Sequence, residues 1–284
     1  MCIVYYNSGK KAMDDVTIFA YDKGMIGFLI KKTFYDLWDN MFRIVLLNLG
    51  FIASLAVPVF IPGLVPVPLL SIAIFAIGYL WCWIYLCAVA ISVKALSDYS
   101  VFGFAEFWDN LKAGWPAGIA LGIIGIIFFA MGRIIIPFYL DMGSLFGLFL
   151  AAIVFWTLIL VLVSFQFFFA IRARLDSKIS KVAKKCFIIF FDNPGFAVYS
   201  LLHSIVTLIL SVFLAFLIPG PAGMLLFLDE GLRLRLLKYD WLEENPRTDN
   251  TTKRRTIPWD AILIEEREKT GTRSLRNFIF PWKD

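Results

Sequence analysis

Apolar residues in this chain come in long blocks, and charges are confined to the gaps between them. Residues 44–93 contain no Asp, Glu, Lys, Arg or His, and 113–132, 142–171, 193–202 and 204–228 are equally free of them. A bilayer core takes about 20 apolar helical residues to cross. The blocks therefore predict membrane helices over 44–61, 69–93, 117–139, 145–170 and 196–218. Pro58, Pro62, Pro66 and Pro68 around Gly63 predict a tight uncharged turn between the first two, because proline removes a donor and ends helices. Residues 94–116 read as a short loop, and 171–195 as a basic one.

Before the first block, residues 25–43 show a different period. Ile26, Leu29, Ile30, Phe34, Leu37, Trp38 and Met41 recur at helical spacing, with Lys31, Lys32, Asp36 and Asp39 largely between them. That pattern predicts an amphipathic helix lying in the headgroup layer.

Residues 223–238 are harder to place. About nine strong apolar residues at roughly −0.5 kcal/mol each are opposed by Asp229 and Glu230 at about +2.5 to +3.5 kcal/mol each, so the two sums nearly cancel. Basic residues then decide. Five crossings would leave 14 Lys and Arg inside and 13 outside, whereas a sixth, returning at Pro219–Pro221, leaves 26 inside and only Arg133 outside. The excess of Lys and Arg lies on the cytoplasmic side of membrane proteins. The expected fold is all-α: a polytopic membrane helix bundle of about six transmembrane helices, with five as the alternative. Both termini are expected inside. Residues 1–43 form a cytoplasmic tail with the interfacial helix, 44–238 the bundle and 239–284 a cytoplasmic C-terminal tail.

Composition agrees. Hydrophobic residues make up 60% of the 284 and charged residues 17%, against about 25% charged in soluble domains. The mean hydropathy is +0.77. The first 40 residues show no apolar stretch of signal-peptide type, and the expected location is the cytoplasmic membrane of a bacterium. Cys2, Cys82, Cys87 and Cys186 form no Cys-x-x-Cys and read as free thiols. No cofactor or metal is expected. The net charge of +5 is topological and carries no implication of nucleic acid.

The candidate chemistry is sparse. Asn48, Gln166 and His203 are isolated polar residues inside apolar helices, a class that stitches helices together more often than it binds substrate. A lone histidine cannot assemble a metal site of ordinary ligand number. Arg133 is the single basic residue on the far side, and a contact with Asp229 or Glu230 would offset the insertion deficit of the last helix. Arg172, Arg174, Lys178, Lys181, Lys184 and Lys185 in the basic loop could grip anionic headgroups. The tail keeps two apolar islands. Trp259 and Ile262 mark the first, and Leu275, Phe278, Ile279 and Trp282 the second. Docking on the protein's own membrane face, on the bilayer or on a partner would account for them. No phosphate loop, nucleophile elbow or His-Glu-x-x-His pattern occurs in the sequence, so no enzyme is expected.

Four stretches appear in a definite order: IVLLNLGFIASLAVPV, FAEFWDNLKAGWPAGIAL, FFFAIRARLDSKISKVAKKCFIIFFDNPGFAV, and IPGPAG before a helix ending RLRLLKYDW. Over about residues 25–241 this order resembles the YesL-like family of bacterial multipass membrane proteins, whose domain is named only as one of unknown function. The most specific element is A-R-L-D-S-x-x-x-K-x-x-K, here Ala173 to Lys184. The resemblance implies a compact membrane domain of similar length. Some members are encoded beside sugar-uptake ABC transporters, which implies a role near carbohydrate import. The expected function is a non-enzymatic accessory or scaffold protein with the lipid bilayer and an ABC transporter or other protein as partners, reached through the C-terminal tail. A small-solute or lipid transporter is the alternative.

Overall fold

The structure, a computed structural model, describes residues 23–246, 257–271 and 273. The described residues are helical, with no strand among them. In chain order the helices are α1 (Lys23–Asp39), α2 (Met41–Leu64), α3 (Pro68–Ser97), α4 (Phe104–Asp141), α5 (Leu145–Phe165), α6 (Phe168–Arg174), α7 (Ile179–Asp192), α8 (Pro194–Phe213), α9 (Gly220–Glu244), α10 (Trp259–Ile262) and α11 (Ile264–Thr270). Five are long and apolar enough to cross a membrane: α2, α3, α4, α5 continuing through α6, and α8. The chain is a membrane protein by that measure. α9, expected as a sixth, is not among them.

The expected loop at 94–116 is mostly helix. α3 runs on to Ser97 with Lys94 in its last turn, where a cation meets the negative end of the helix dipole. α4 starts at Phe104, its first turn closed by Glu106, whose carboxylate accepts the Gly103 N–H at 3.0 Å. Pro116 is carried inside α4. Charged and aromatic residues here extend a helix beyond its apolar segment, and the charge pattern alone marks only where the segment stops. Likewise 171–195 is occupied by α6 and α7.

α2, α3 and α4 pack as neighbours. Gly118 brings α4 within contact of the α3 backbone: a Cβ there would lie 2.5 Å from Ile84 Cα. The other expected small-residue positions, Gly122 and Gly125, also face α3, towards Trp83 and Tyr79.

α9 occupies the centre. From Gly220 to Leu228 every residue except Met224 is buried, and α9 touches α1, α2, α3, α6, α8 and α10. Its level is fixed by Asn48 in α2. The Asn48 side chain donates to Leu217 O and Pro219 O at 2.9 Å each and accepts the Ala222 N–H at 2.9 Å. Gly220 takes a positive φ of 62° there, and any Cβ would strike the Asn48 amide. The α8–α9 turn therefore sits beside the first third of α2. The 16 residues from Asn48 to Leu64 carry α2 about 24 Å beyond it.

The termini of the described fold meet at one end of the bundle. Lys31 Nζ in α1 donates to Gly271 O at 3.3 Å. Arg273 Nη1 reaches both Asp39 oxygens at 2.9 and 3.0 Å, and its guanidinium lies 4.8 Å from the Tyr35 ring. We call this the polar end. The turns α2–α3 and α4–α5 lie at the other.

Candidate functional site

The described charges concentrate where α3, α6, α9 and α1 converge. Arg174, the last residue of α6, is 9% exposed. Its Nε donates to Asp229 Oδ1 at 2.8 Å and its Nη2 to Asp229 Oδ2 at 2.5 Å. Nη2 also donates to Ser97 Oγ at 2.8 Å, and Nη1 to Asp98 Oδ1 at 2.9 Å. The planar fork of arginine suits two-pronged contact with a carboxylate. Four of its bonds thus tie α6 to α9 and to the end of α3.

From Asp98 the network continues through Arg233. Arg233 Nη1 donates to Asp98 Oδ1, while its Nε and Nη2 donate to Glu266 Oε1 at 3.1 and 2.6 Å. Glu266 belongs to α11 and is buried. Tyr99 donates its hydroxyl to Glu266 Oε2 at 3.0 Å. On the other side of Tyr99 lies Lys32, its ammonium 3.9 Å from the ring centre. Lys32 also donates to Asp36 Oδ2 at 2.5 Å and Ser97 O at 3.2 Å, and sits 3.8 Å from Glu230 Oε1. Thr33 donates to Glu230 Oε2. Among the described residues Glu230 Oε1 has no hydrogen-bond partner.

Burial pushes the Asp98 carboxyl up, but the Lys94 ammonium and the Arg174 guanidinium outweigh it and hold Asp98 below the ordinary carboxylate value. A charge buried without such partners would cost several kcal/mol. The cluster therefore works as a set of clamps. It joins the N-terminal helix, the central helix and the C-terminal segment at one level.

The anticipated partner of these acids was Arg133. Arg133 instead lies in a π-helical turn of α4, Met131–Ile135, exposed and without an ion-pair partner among the described residues. The 29 residues separating it from Phe104 place it about 43 Å along α4 from that helix's start. Asp229 and Glu230 lie near the polar end because the α8–α9 turn begins alongside Asn48 and not at the far surface. The expectation measured their depth from a turn assumed to reach that surface.

Arg174 is likewise corrected. It is held by Asp229, Asp98 and Ser97 and is not offered to headgroups. Arg172 donates to Ala113 O at 2.9 Å. Lys181 and Lys185 approach Asp176 at 3.8 and 3.6 Å, and the backbone N–H of Lys178 at 3.1 Å is the main reason the Asp176 carboxyl is held low. Lys178, Lys181 and Lys184 are exposed.

Gln166 and Asn48 join helices, as anticipated. Gln166 Nε2 donates to Val163 O at 2.7 Å and to Ala197 O of α8 at 2.8 Å. His203 lies flat on Phe227, ring centres 3.6 Å apart, with Nδ1 3.4 Å from Thr207 Oγ1. Trp259 is buried against the fold's own surface, its ring 5.7 Å from the Arg235 guanidinium, and Ile262 is half-buried. The first tail island is thus docked on the protein itself. Leu275, Phe278, Ile279 and Trp282 lie outside the described residues.

Lys32, Thr33, Asp36, Ser97, Tyr99, Arg233 and Glu266 were not anticipated as site residues. The i, i+4 spacing of Lys32 and Asp36 was visible, but their face of α1 was expected in water or headgroups. In the fold it is turned to α9, and Lys32 is fully buried.

Two concavities lie elsewhere on the described surface. One of about 820 Å³ lies between α1 and α11, lined by Gly24, Gly27, Phe28, Lys31, Arg267, Glu268 and Gly271. The other, about 450 Å³, is an apolar groove on α5 around Phe149, Ile153 and Trp156. Neither includes a residue of the buried charge cluster. No group of three or more His, Cys, Asp or Glu suited to a metal occurs among the described residues. The chain matches no family model, no curated protein and no solved structure.

Proposed function

We propose that this chain is a non-catalytic accessory or scaffold protein of a bacterial cell membrane, with its polar end in the cytoplasm and both termini there. One observation carries the proposal. Asn48, Gln166, Asp229 and Glu230 each bind one helix to another. Spent in this way, they contribute to rigidity and not to an aqueous path, which a transporter would need. The meeting of α1 with Gly271 and Arg273 supports an even number of passages, since an odd number would separate those segments by a bilayer thickness. We read α8 and α9 as a hairpin that enters and leaves on the cytoplasmic side. That arrangement keeps 26 of the 27 Lys and Arg there. The YesL-like resemblance makes a carbohydrate ABC importer the first partner to test.

The full chain and a version ending at Arg273 would be purified in mild detergent from the native host. The shortened version retains Glu266 and the clamp but lacks Leu275, Phe278, Ile279 and Trp282. A defined membrane partner that accompanies the full chain and is lost from the shortened one supports the scaffold role. If both elute alone and the protein in liposomes passes a solute, the transporter alternative takes its place.

A further inference from the structure

The amphipathic headgroup helix expected at residues 25–43 is α1, yet α1 is largely consumed by its contacts with α9. A different helix has the required faces. α7 turns Val182, Cys186 and Ile189 inward, all buried, and Phe187 meets Phe165 of α5 edge-on at 5.5 Å. Its outward residues Lys181, Lys184, Ile188 and Phe191 are spaced by three, four and three positions, which lays them on a single stripe. Lys181 has 61% of its side chain exposed, Ile188 is 43% exposed and Phe191 65%.

The position of α7 is as informative as its faces. The span ending at Arg174 precedes it and the span beginning at Pro194 follows it. Both of its ends are therefore held within a few residues of the membrane boundary, on one side. An exposed phenylalanine and isoleucine at that boundary gain by entering the acyl layer, while lysines a turn or two away remain among headgroups. Two exposed lysines on the same stripe make the matching surface an anionic one.

We propose that α7 is an anionic-phospholipid contact: Ile188 and Phe191 enter the acyl boundary, and Lys181 and Lys184 engage lipid phosphates. The proposal rests on the membrane placement of the helices and is independent of the scaffold role. Near a charged surface each lysine contributes about fivefold in affinity, and Asp176 at 3.8 Å from Lys181 reduces its share.

The full chain would be reconstituted in nanodiscs of equal phosphatidylcholine and phosphatidylglycerol, and the lipids retained on gentle extraction quantified. Wild type should retain phosphatidylglycerol in excess, and Lys181→Gln/Lys184→Gln should reduce that excess roughly tenfold, as should high salt on wild type. In a Cys2→Ser background, a fluorophore at Ile188→Cys or Phe191→Cys should be quenched by spin-labelled acyl chains severalfold more than one at Lys181→Cys. The proposal is overturned if a lysine variant of unchanged thermal stability retains the same lipid ratio. It also fails if positions 188 and 191 are as accessible to an aqueous quencher as position 181. An acidic protein lost from the lysine variant at an unchanged lipid ratio would reassign the stripe to a protein partner.

Discussion

Arg174 holds Asp229 in a two-pronged grip, Nε to Oδ1 at 2.8 Å and Nη2 to Oδ2 at 2.5 Å, across a sequence separation of 55. The Asp229 carboxylate is 1% exposed. Removing one partner leaves a buried charge unmatched, which costs about 3–5 kcal/mol. Arg174→Gln and Asp229→Asn should each lower the thermal midpoint in detergent sharply, read by size-exclusion of heated samples. The double variant should recover a clear part of the Asp229→Asn loss. Additive losses would mean that the two residues act separately.

Asn48 is the corresponding clamp between neutral groups. Its amide serves three backbone partners, so Asn48→Leu would leave buried peptide groups unsatisfied at about 1–3 kcal/mol. Gly220→Ala should be at least as damaging. The added methyl would meet the Asn48 side chain at 2.3–2.7 Å, at a backbone φ of +62° that a side chain disfavours. The thermal midpoint in detergent should fall in both variants; an unchanged midpoint would detach Asn48 from holding the turn.

Two glycines should respond to the same substitution with opposite signs. At Gly118 an alanine Cβ would lie 2.5 Å from Ile84 Cα and 2.7 Å from Ile84 N. Backbone cannot step aside cheaply, so Gly118→Ala should destabilise by about 1–3 kcal/mol. Gly27 lies in α1 with nothing within 4 Å of the new methyl, and Gly27→Ala should stabilise by up to about 1 kcal/mol through helix propensity. A Gly118→Ala midpoint at or above that of wild type would refute the α3–α4 contact as described, and a Gly27→Ala midpoint below it would refute the open space at Gly27.

Acid should weaken the polar end through Asp98. An unfolded aspartate titrates near ~3.9, and folding lowers Asp98 below its ordinary value. As pH falls the unfolded chain takes up this proton first. The stabilisation is therefore complete above about pH 5 and fades as pH drops through the lower folded value. In Asp98→Asn the acid limb of a midpoint-against-pH curve should be shallower than in wild type. An identical limb would assign the acid sensitivity to other carboxylates.

The long apolar blocks made the membrane helices legible from sequence, because bilayer length is written directly in runs without charge. Asn48 and Gln166 were legible as helix stitches for the same reason: an amide in such a run must find a partner. Helix ends were less visible. Charge stops an apolar run but does not stop a helix, so α3 and α4 extend beyond their predicted limits. The cluster was the least legible part. Period alone gave α1 its apolar and charged faces, but not the fact that the charged one would meet α9. That depends on Arg233, Glu266 and Tyr99 arriving from three other elements, a coincidence in space with no mark in spacing.

The Lys32–Glu230 contact also bears on how the molecule is made. Lys32 leaves the ribosome early and Glu230 almost two hundred residues later. Until α9 and α11 are synthesised, the first helix has no permanent place for its charged face. The polar end therefore closes only once the last segment is present: a chain truncated before Glu266 would leave Arg233 and Tyr99 without that carboxylate.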